Sequence, residues 1–183
     1  KAESRGLGDV YKRQGGVKPL GALTIDNADG SGNIQVFDIG TASAVGVRGN
    51  TEIGNALTDA LALDGDDYRT TGSQTYTAKA GDTITIGIDD TPVEIITTDT
   101  GITFSGGDIV LKDSADIVIA TQAVDATASA GNISIGGAIH GTDGDTTTDV
   151  TLNAGTGTLS LQLIDGVTTC LLYTSDAADD EER

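Results

Sequence analysis

The chain of 183 residues carries 28 Asp+Glu against 10 Lys+Arg, a net charge of −18, with one cysteine, no Met or Trp and only 3% aromatic residues. So acidic a chain repels phosphate backbones, which disfavours nucleic-acid binding, and no apolar run approaches the ~20 residues that span a bilayer. A lone cysteine excludes an internal disulfide framework and a thiolate metal site, and the core has to be built from Ile, Val, Leu and Ala.

In chain order the first feature is SRGLGDVYKRQ, Ser4 to Gln14, and it has a counterpart at the other end in CLLYTSDAAD, Cys170 to Asp179. Written back into codons, the second peptide spells a transposon mosaic end running into a sequencing-primer site. The first, from Asp9 on, spells the reverse complement of the same mosaic end. Two peptides that encode the two strands of one oligonucleotide look like translated library adapter. Residues 1–14 and 170–183 are therefore expected to be artefactual and disordered, and are set aside for fold reasoning. Residues 15–169 are expected to be a repeat segment truncated at both ends, without the caps a solenoid needs.

Setting the ends aside removes Cys170, Tyr11, Tyr173, five of the ten bases and seven of the 28 acids, leaving a net charge of about −16. Glu52 and Glu94 are the only glutamates left. Asp favours turns and is a poor helix former, so this acid marks turns rather than helix faces.

Helical periodicity is nearly absent along the rest of the chain. The best helix candidate is Thr51 to Leu63, with Ile53, Leu57 and Leu61 four apart, and Gly54 weakens it. Elsewhere apolar and polar residues alternate over four to six positions and stop at Gly, Asp or Asn, the pattern of short strands. One grammar recurs, a small or turn residue followed by apolar–polar–apolar. It appears in GSGNIQV (Gly30 to Val36), AGDTITIG (Ala80 to Gly87), GGDIVL (Gly106 to Leu111), AGNISIGG (Ala130 to Gly137) and AGTGTLSL (Ala154 to Leu161). Their first large apolar residues are Ile34, Ile84, Ile109, Ile133 and Leu159, the last four spaced 25, 24 and 26 apart. The 50-residue gap after Ile34 is two such periods, with DALALDG (Asp59 to Gly65) near its middle.

A repeat of this size indicates a solenoid. Further strands at Val93 to Ile96, Ile102 to Phe104 and Ile117 to Ile119 give each repeat several short strands separated by Gly/Asp/Thr corners. The expected fold is all-β: a right-handed parallel β-helix of about six coils of roughly 25 residues, rising ~4.8 Å per coil. Ile84, Ile109, Ile133 and Leu159 are expected in one inward ladder, with Thr on the outer surface. The alternative is a β-sandwich, which also has a strand every 8–12 residues but no reason to keep a fixed long period.

From Tyr68 to Gly166 the chain resembles the large bacterial surface exoproteins of the filamentous haemagglutinin kind and related β-strand-repeat proteins. The resemblance rests on YRTTGSQTYTAKAGDTITIG (Tyr68 to Gly87), TTDTGITFSGGDIVLKDSADIVI (Thr97 to Ile119), GNISIGGAIHGT (Gly131 to Thr142) and LNAGTGTLSL (Leu152 to Leu161). It implies the right-handed coil, secretion to the extracellular or bacterial cell surface, and a structural role in adhesion or biofilm. Host or matrix glycans or proteins would be bound through other parts of the full-length protein. Alternative functions are a carbohydrate-active β-helix domain (lyase- or hydrolase-like) and a surface-layer or matrix protein.

No constellation marks an enzyme. His140 is the sole histidine; a Ser/His/Asp arrangement would need it beside Asp143 or Asp145 with a serine nucleophile, and no GxSxG elbow exists. Acids cluster at Asp64, Asp66 and Asp67, at Asp89 and Asp90, and at Asp143 and Asp145. Such oxygens could take Ca²⁺, but neither the EF-hand nor the glycine-rich nonapeptide spacing is present, and Asp-Gly pairs are ordinary turns. Paired carboxylates also serve glycan hydrolysis. Between the end peptides the only bases are Lys18, Arg48, Arg69, Lys79 and Lys112, and the only aromatics Phe37, Tyr68, Tyr76 and Phe104. No catalytic, cofactor-binding or metal-binding residue is assigned.

Overall fold

The computed structural model describes residues 18–27, 32–87, 91–112, 116–121, 131–141, 148–167 and 169–174. Every regular element among them is a strand. The first turn of chain holds β1 (Leu23–Ile25), β2 (Gly32–Val36) and a small antiparallel hairpin of β3 (Gly40–Thr41) and β4 (Ala44–Val45). The second coil is β5 (Thr51–Ile53), β6 (Thr58–Leu63) and β7 (Asp67–Thr70); the third is β8 (Gln74–Thr77), β9 (Thr83–Ile86) and β10 (Val93–Thr97). The fourth is β11 (Ile102–Ser105), β12 (Asp108–Leu111) and β13 (Ile117–Ala120); the fifth is β14 (Ile133–Ile135), β15 (Ile139–His140) and β16 (Asp149–Gly155). Last come β17 (Leu159–Ser160), β18 (Ile164–Asp165) and β19 (Thr169–Thr174).

Equivalent strands of successive coils pair in parallel and make three sheets. Sheet I is β1-β5-β8-β11-β14-β17, sheet II is β2-β6-β9-β12-β15-β18, and sheet III is β7-β10-β13-β16-β19. Four coils, the second to the fifth, have a neighbour on each side, with a terminal turn at either end. This is a parallel β-solenoid, and the sandwich alternative falls: its sheets are antiparallel, whereas β3–β4 is the only antiparallel pair among the described strands.

Alternation along each strand sends one set of side chains into a common lumen, where like stacks on like. In sheet II the inward column runs Ile34, Leu61, Ile84, Ile109, Ile139, Ile164. In sheet III it runs Tyr68, Ile95, Ile119, Leu152, and in sheet I Ile53, Tyr76, Phe104, Ile135. The Tyr76 and Phe104 rings stack at 4.9 Å, and Tyr68 meets Tyr76 edge-on at 6.4 Å. Each fully buried side chain contributes about 1.5–3 kcal/mol, so the columns carry most of the stability.

The expected inward ladder needs correction. Ile84 and Ile109 share a column, but Ile133 and Leu159 stack on each other in sheet I; Ile139 and Ile164 continue the sheet II column. The small–apolar–polar–apolar grammar is written on two faces of the coils, and the long connection from β13 to β14, Ala120 to Ile133, brought the wrong face into the 25-residue spacing. The helix candidate is two strands, β5 and β6: Ile53 and Leu61 are buried while Leu57, between them at a turn, is 49% exposed. The tail expected to be disordered from residue 170 contributes 170–174 to β19, paired along β16. An open strand edge accepts extended chain through backbone hydrogen bonds alone, so composition could not exclude it. Residues 1–14 and 175–183 lie outside the described residues.

Threonine departs from its expected outward place too. Thr51, Thr58, Thr70, Thr97, Thr121 and Thr148 are buried. At the corner from sheet III to sheet I, Thr70 donates to the Gly72 carbonyl (2.6 Å), Thr97 to that of Thr100 (2.5 Å) and Thr121 to that of Gly131 (2.8 Å). The hydroxyl satisfies a carbonyl that the turn would otherwise strand in the core. Glycine is required where a corner backbone meets the coil below. Gly54 (φ 77°) and Gly106 (φ 88°) sit in the left-handed region, and a Cβ there would lie 2.0 Å from the Thr77 carbonyl oxygen and 1.7 Å from that of Ala78.

Candidate functional site

The lumen is closed by its own chemistry. Gln74, inward in sheet I and 1% exposed, lies within hydrogen-bonding reach of the Tyr68 carbonyl (2.9 Å), the Ile96 carbonyl (3.0 Å) and Thr70 Oγ1 (3.1 Å) through Nε2. Its Oε1 accepts from Tyr76 Oη at 2.7 Å. Tyr68 Oη donates to the Val36 carbonyl (2.9 Å) and accepts from the Gly65 N–H (2.7 Å). Burial raises both phenol pKa values well above the ordinary tyrosine value. Tyr68, Tyr76 and Phe104 are thus structural lumen residues, with no face presented to a sugar. Beside them Thr51 Oγ1 is buried without a partner.

The acidic cluster at Asp64, Asp66 and Asp67 forms the corner from sheet II to sheet III in the second coil, and the fold adds Asp38 from the coil before. Asp38 Oδ1 accepts the Asp66 N–H at 2.8 Å. Asp64 receives Lys112 Nζ at 2.6 Å and Gln35 Nε2 at 2.5 Å. Lys112 reaches over the third coil because the position between, Gly87, has no side chain in its path. Arg69 grips Asp67 at 2.9 Å and also Glu94. Asp66 has a raised pKa, first from partial burial, then from the charges of Asp38 and Asp67. The carboxylates of Asp38, Asp64 and Asp67 are engaged in holding the corner. Among the described residues no three His, Cys, Asp or Glu side chains converge as a metal site. Asp89, Asp90, Asp143 and Asp145 lie outside the described residues.

His140 points outward from sheet II, and its charged neighbours among the described residues come from the coils on either side. Nδ1 lies 2.6 Å from Asp165 Oδ1 and Nε2 3.8 Å from Asp108 Oδ2. In a solenoid a surface neighbour also comes from one coil away, at the spacing of the repeat. Residue 165 follows 140 by the same spacing as the strand repeat, which is the signal that could have found it. Lys79 bridges Asp59 (3.3 Å) and Asp82 (3.5 Å), and the hydrogen bond to Asp59, then the charge of Asp82, raises its pKa.

Sheet I presents an outward column of Thr24, Glu52, Thr75, Thr103, Ser134 and Ser160. It is a row of short polar groups rather than a cleft. The remaining surface feature is the long edge of β16 with β19 laid along it, Val150 opposite Cys170 and Leu152 opposite Leu172.

The three-sheet parallel coil with a filled lumen defines the chain as a β-solenoid protein. No protein-family model, no curated protein and no solved structure matches it.

Proposed function

We propose that residues 15–169 are a structural repeat segment of a large secreted or cell-surface bacterial adhesin, a rod that holds binding regions at a distance. The observation that carries this reading is the uninterrupted stacking of coil on coil along one axis, with three apolar columns filling the lumen. The lumen holds the rod together, and the outward column of sheet I is a row of short hydroxyls with Glu52 among them. The filamentous haemagglutinin-like grammar of Tyr68 to Gly166 supplies the surface location and the role in adhesion or biofilm.

Ser4 to Gln14 and Cys170 to Asp179 are, on the same reading, adapter-encoded, and β19 is a foreign strand accepted by the open edge of β16. Long-read sequencing of the source locus tests both parts. The expected result is a frame that continues into further three-strand coils, with other residues in place of both end peptides. A single solenoid bearing a catalytic groove would overturn the adhesin reading. The same end peptides in intact genomic DNA would overturn the adapter reading alone.

A further inference from the structure

We propose that His140 is a proton-operated fastener between coils. Its protonated ring ties the fifth coil to the fourth through Asp108, while its tie to Asp165 on the last turn serves in either charge state. The inference concerns the outer surface of sheet II and holds whatever the rod carries and whatever the origin of the end peptides.

Three observations carry it. First, the ring stands between two carboxylates from different coils. Ile139 fills the lumen column, so alternation turns His140 outward, opposite Val110 of β12 on one side and Asp165 of β18 on the other. Nδ1 lies 2.6 Å from Asp165 Oδ1, and Nε2 lies 3.8 Å from Asp108 Oδ2. Asp108 is aimed there by the backbone, because its Oδ1 accepts the Ala138 N–H at 2.8 Å. Gly137 leaves the room this needs, since a Cβ there would lie 2.9 Å from the same oxygen.

Second, a neutral imidazole cannot serve both acids. It has one N–H donor and one lone pair, whereas the imidazolium has two donors. Beside the close Asp165 oxygen Nδ1 holds the proton, so the neutral ring turns the lone pair of Nε2 toward Asp108. A proton added at Nε2 replaces that repulsion with an ion pair across the coil boundary.

Third, no other charge among the described residues competes for the ring or its two acids. Lys112, just past the end of β12, is drawn away to Asp64, and in the coil before Lys79 is held by Asp59 and Asp82. β15 carries no charged side chain besides His140, and β18 none besides Asp165. Asp143 and Asp145 lie outside the described residues. His140 is the one histidine of the chain, the side chain that ordinarily changes charge between pH 5 and 8. The Asp108 tie is therefore present in acid, where the ring is charged, and is lost as rising pH removes the proton from Nε2.

The fold supplies a reporter amide at each boundary. Ile109 N–H donates to the Ala138 carbonyl between the fourth and fifth coils, and Ile139 N–H donates to the Leu163 carbonyl between the fifth coil and the last turn. The test is amide hydrogen exchange of the full chain at pH 5 and pH 8, corrected for the intrinsic rate. Protection of Ile109 should be about three-fold higher at pH 5, the size of a half-exposed ion pair. The change at Ile139 should be smaller, because Nδ1–H donates to Asp165 throughout. Asp108→Asn, which keeps an acceptor for the Ala138 N–H, and His140→Gln should each remove the Ile109 difference. Equal protection of Ile109 at the two pH values in the unsubstituted chain would overturn the fastener, as would the same difference surviving in Asp108→Asn. A change at Ile139 as large as at Ile109 would overturn the asymmetry of the two ties.

Discussion

The third coil and the last turn are built from the same three-strand plan and hold together in different ways. In the third coil Ile84, Ile86, Val93 and Ile95 are fully buried, and Gln74 ties both tyrosines to the lumen wall. In the last turn Leu159 and Ile164 occupy equivalent columns but are only partly buried, Leu163 and Leu172 face solvent, and two of the strands have two residues. The difference is a matter of neighbours. A solenoid coil acquires its burial from the coils above and below it, so identical residues are worth less at an end. Stability in this fold belongs to position in the stack more than to local sequence.

The sharpest way to break the contrast is to remove the polar clasp of the inner coils. Gln74→Ala strips the Tyr76 hydroxyl of its acceptor, leaves the Tyr68 and Ile96 carbonyls short of a donor and opens a void; urea unfolding should show a loss of about 3–5 kcal/mol. The companion Ile164→Ala in the last turn should cost about 1 kcal/mol, since its side chain is only partly withdrawn from water. Comparable losses at the two sites would mean that position in the stack does not decide stability.

A pair of glycines separates steric cost from backbone cost. Gly106 and Gly81 share φ 88°, but a Cβ on Gly106 would collide with the Ala78 carbonyl oxygen whereas nothing lies within 4 Å at Gly81. Gly106→Ala should lose about 3 kcal/mol and Gly81→Ala about 1–2 kcal/mol, the left-handed strain alone. Equal melting temperatures of the two variants would remove coil-on-coil contact as the reason for corner glycines.

Alkaline pH probes the lumen tyrosines. The ordinary phenol value is 10.0, and burial raises the folded-state pKa of Tyr68 and Tyr76 above it. Their stabilising contribution is complete below pH 10 and is lost as pH rises, because only the unfolded state releases the protons. Stability should therefore fall above pH 10 by about 1.4 kcal/mol per pH unit for each of the two groups. Urea midpoints between pH 9 and 11.5 measure the slope, and Tyr76→Phe should halve the lumen contribution to it.

The smallest expected effect is a gain. Thr51 stacks on Gln74 with its hydroxyl buried and unpartnered, so Thr51→Val removes a desolvated group at nearly constant shape and should stabilise by about 1 kcal/mol. A loss instead would show that the hydroxyl has a partner in solution.

By itself the sequence determined the fold class. Period-two alternation, turn residues at each strand end and a returning spacing near 25 residues leave a parallel coil as the economical solution. DALALDG was placed correctly as the coil between Ile34 and Ile84. Only the tertiary structure decided which face each strand occupies. Sheets I and II share one local grammar, and a longer coil shifts the count, so Ile133 had to be assigned by what it stacks against. The surface groupings were illegible for the same reason: Asp38 with Asp66, Lys112 with Asp64, and His140 with Asp165 and Asp108 are contacts between coils, set by register rather than by distance along the chain. The seating of 170–174 on β16 was also beyond reach, because an edge binds backbone, and every residue but proline has the same backbone to offer.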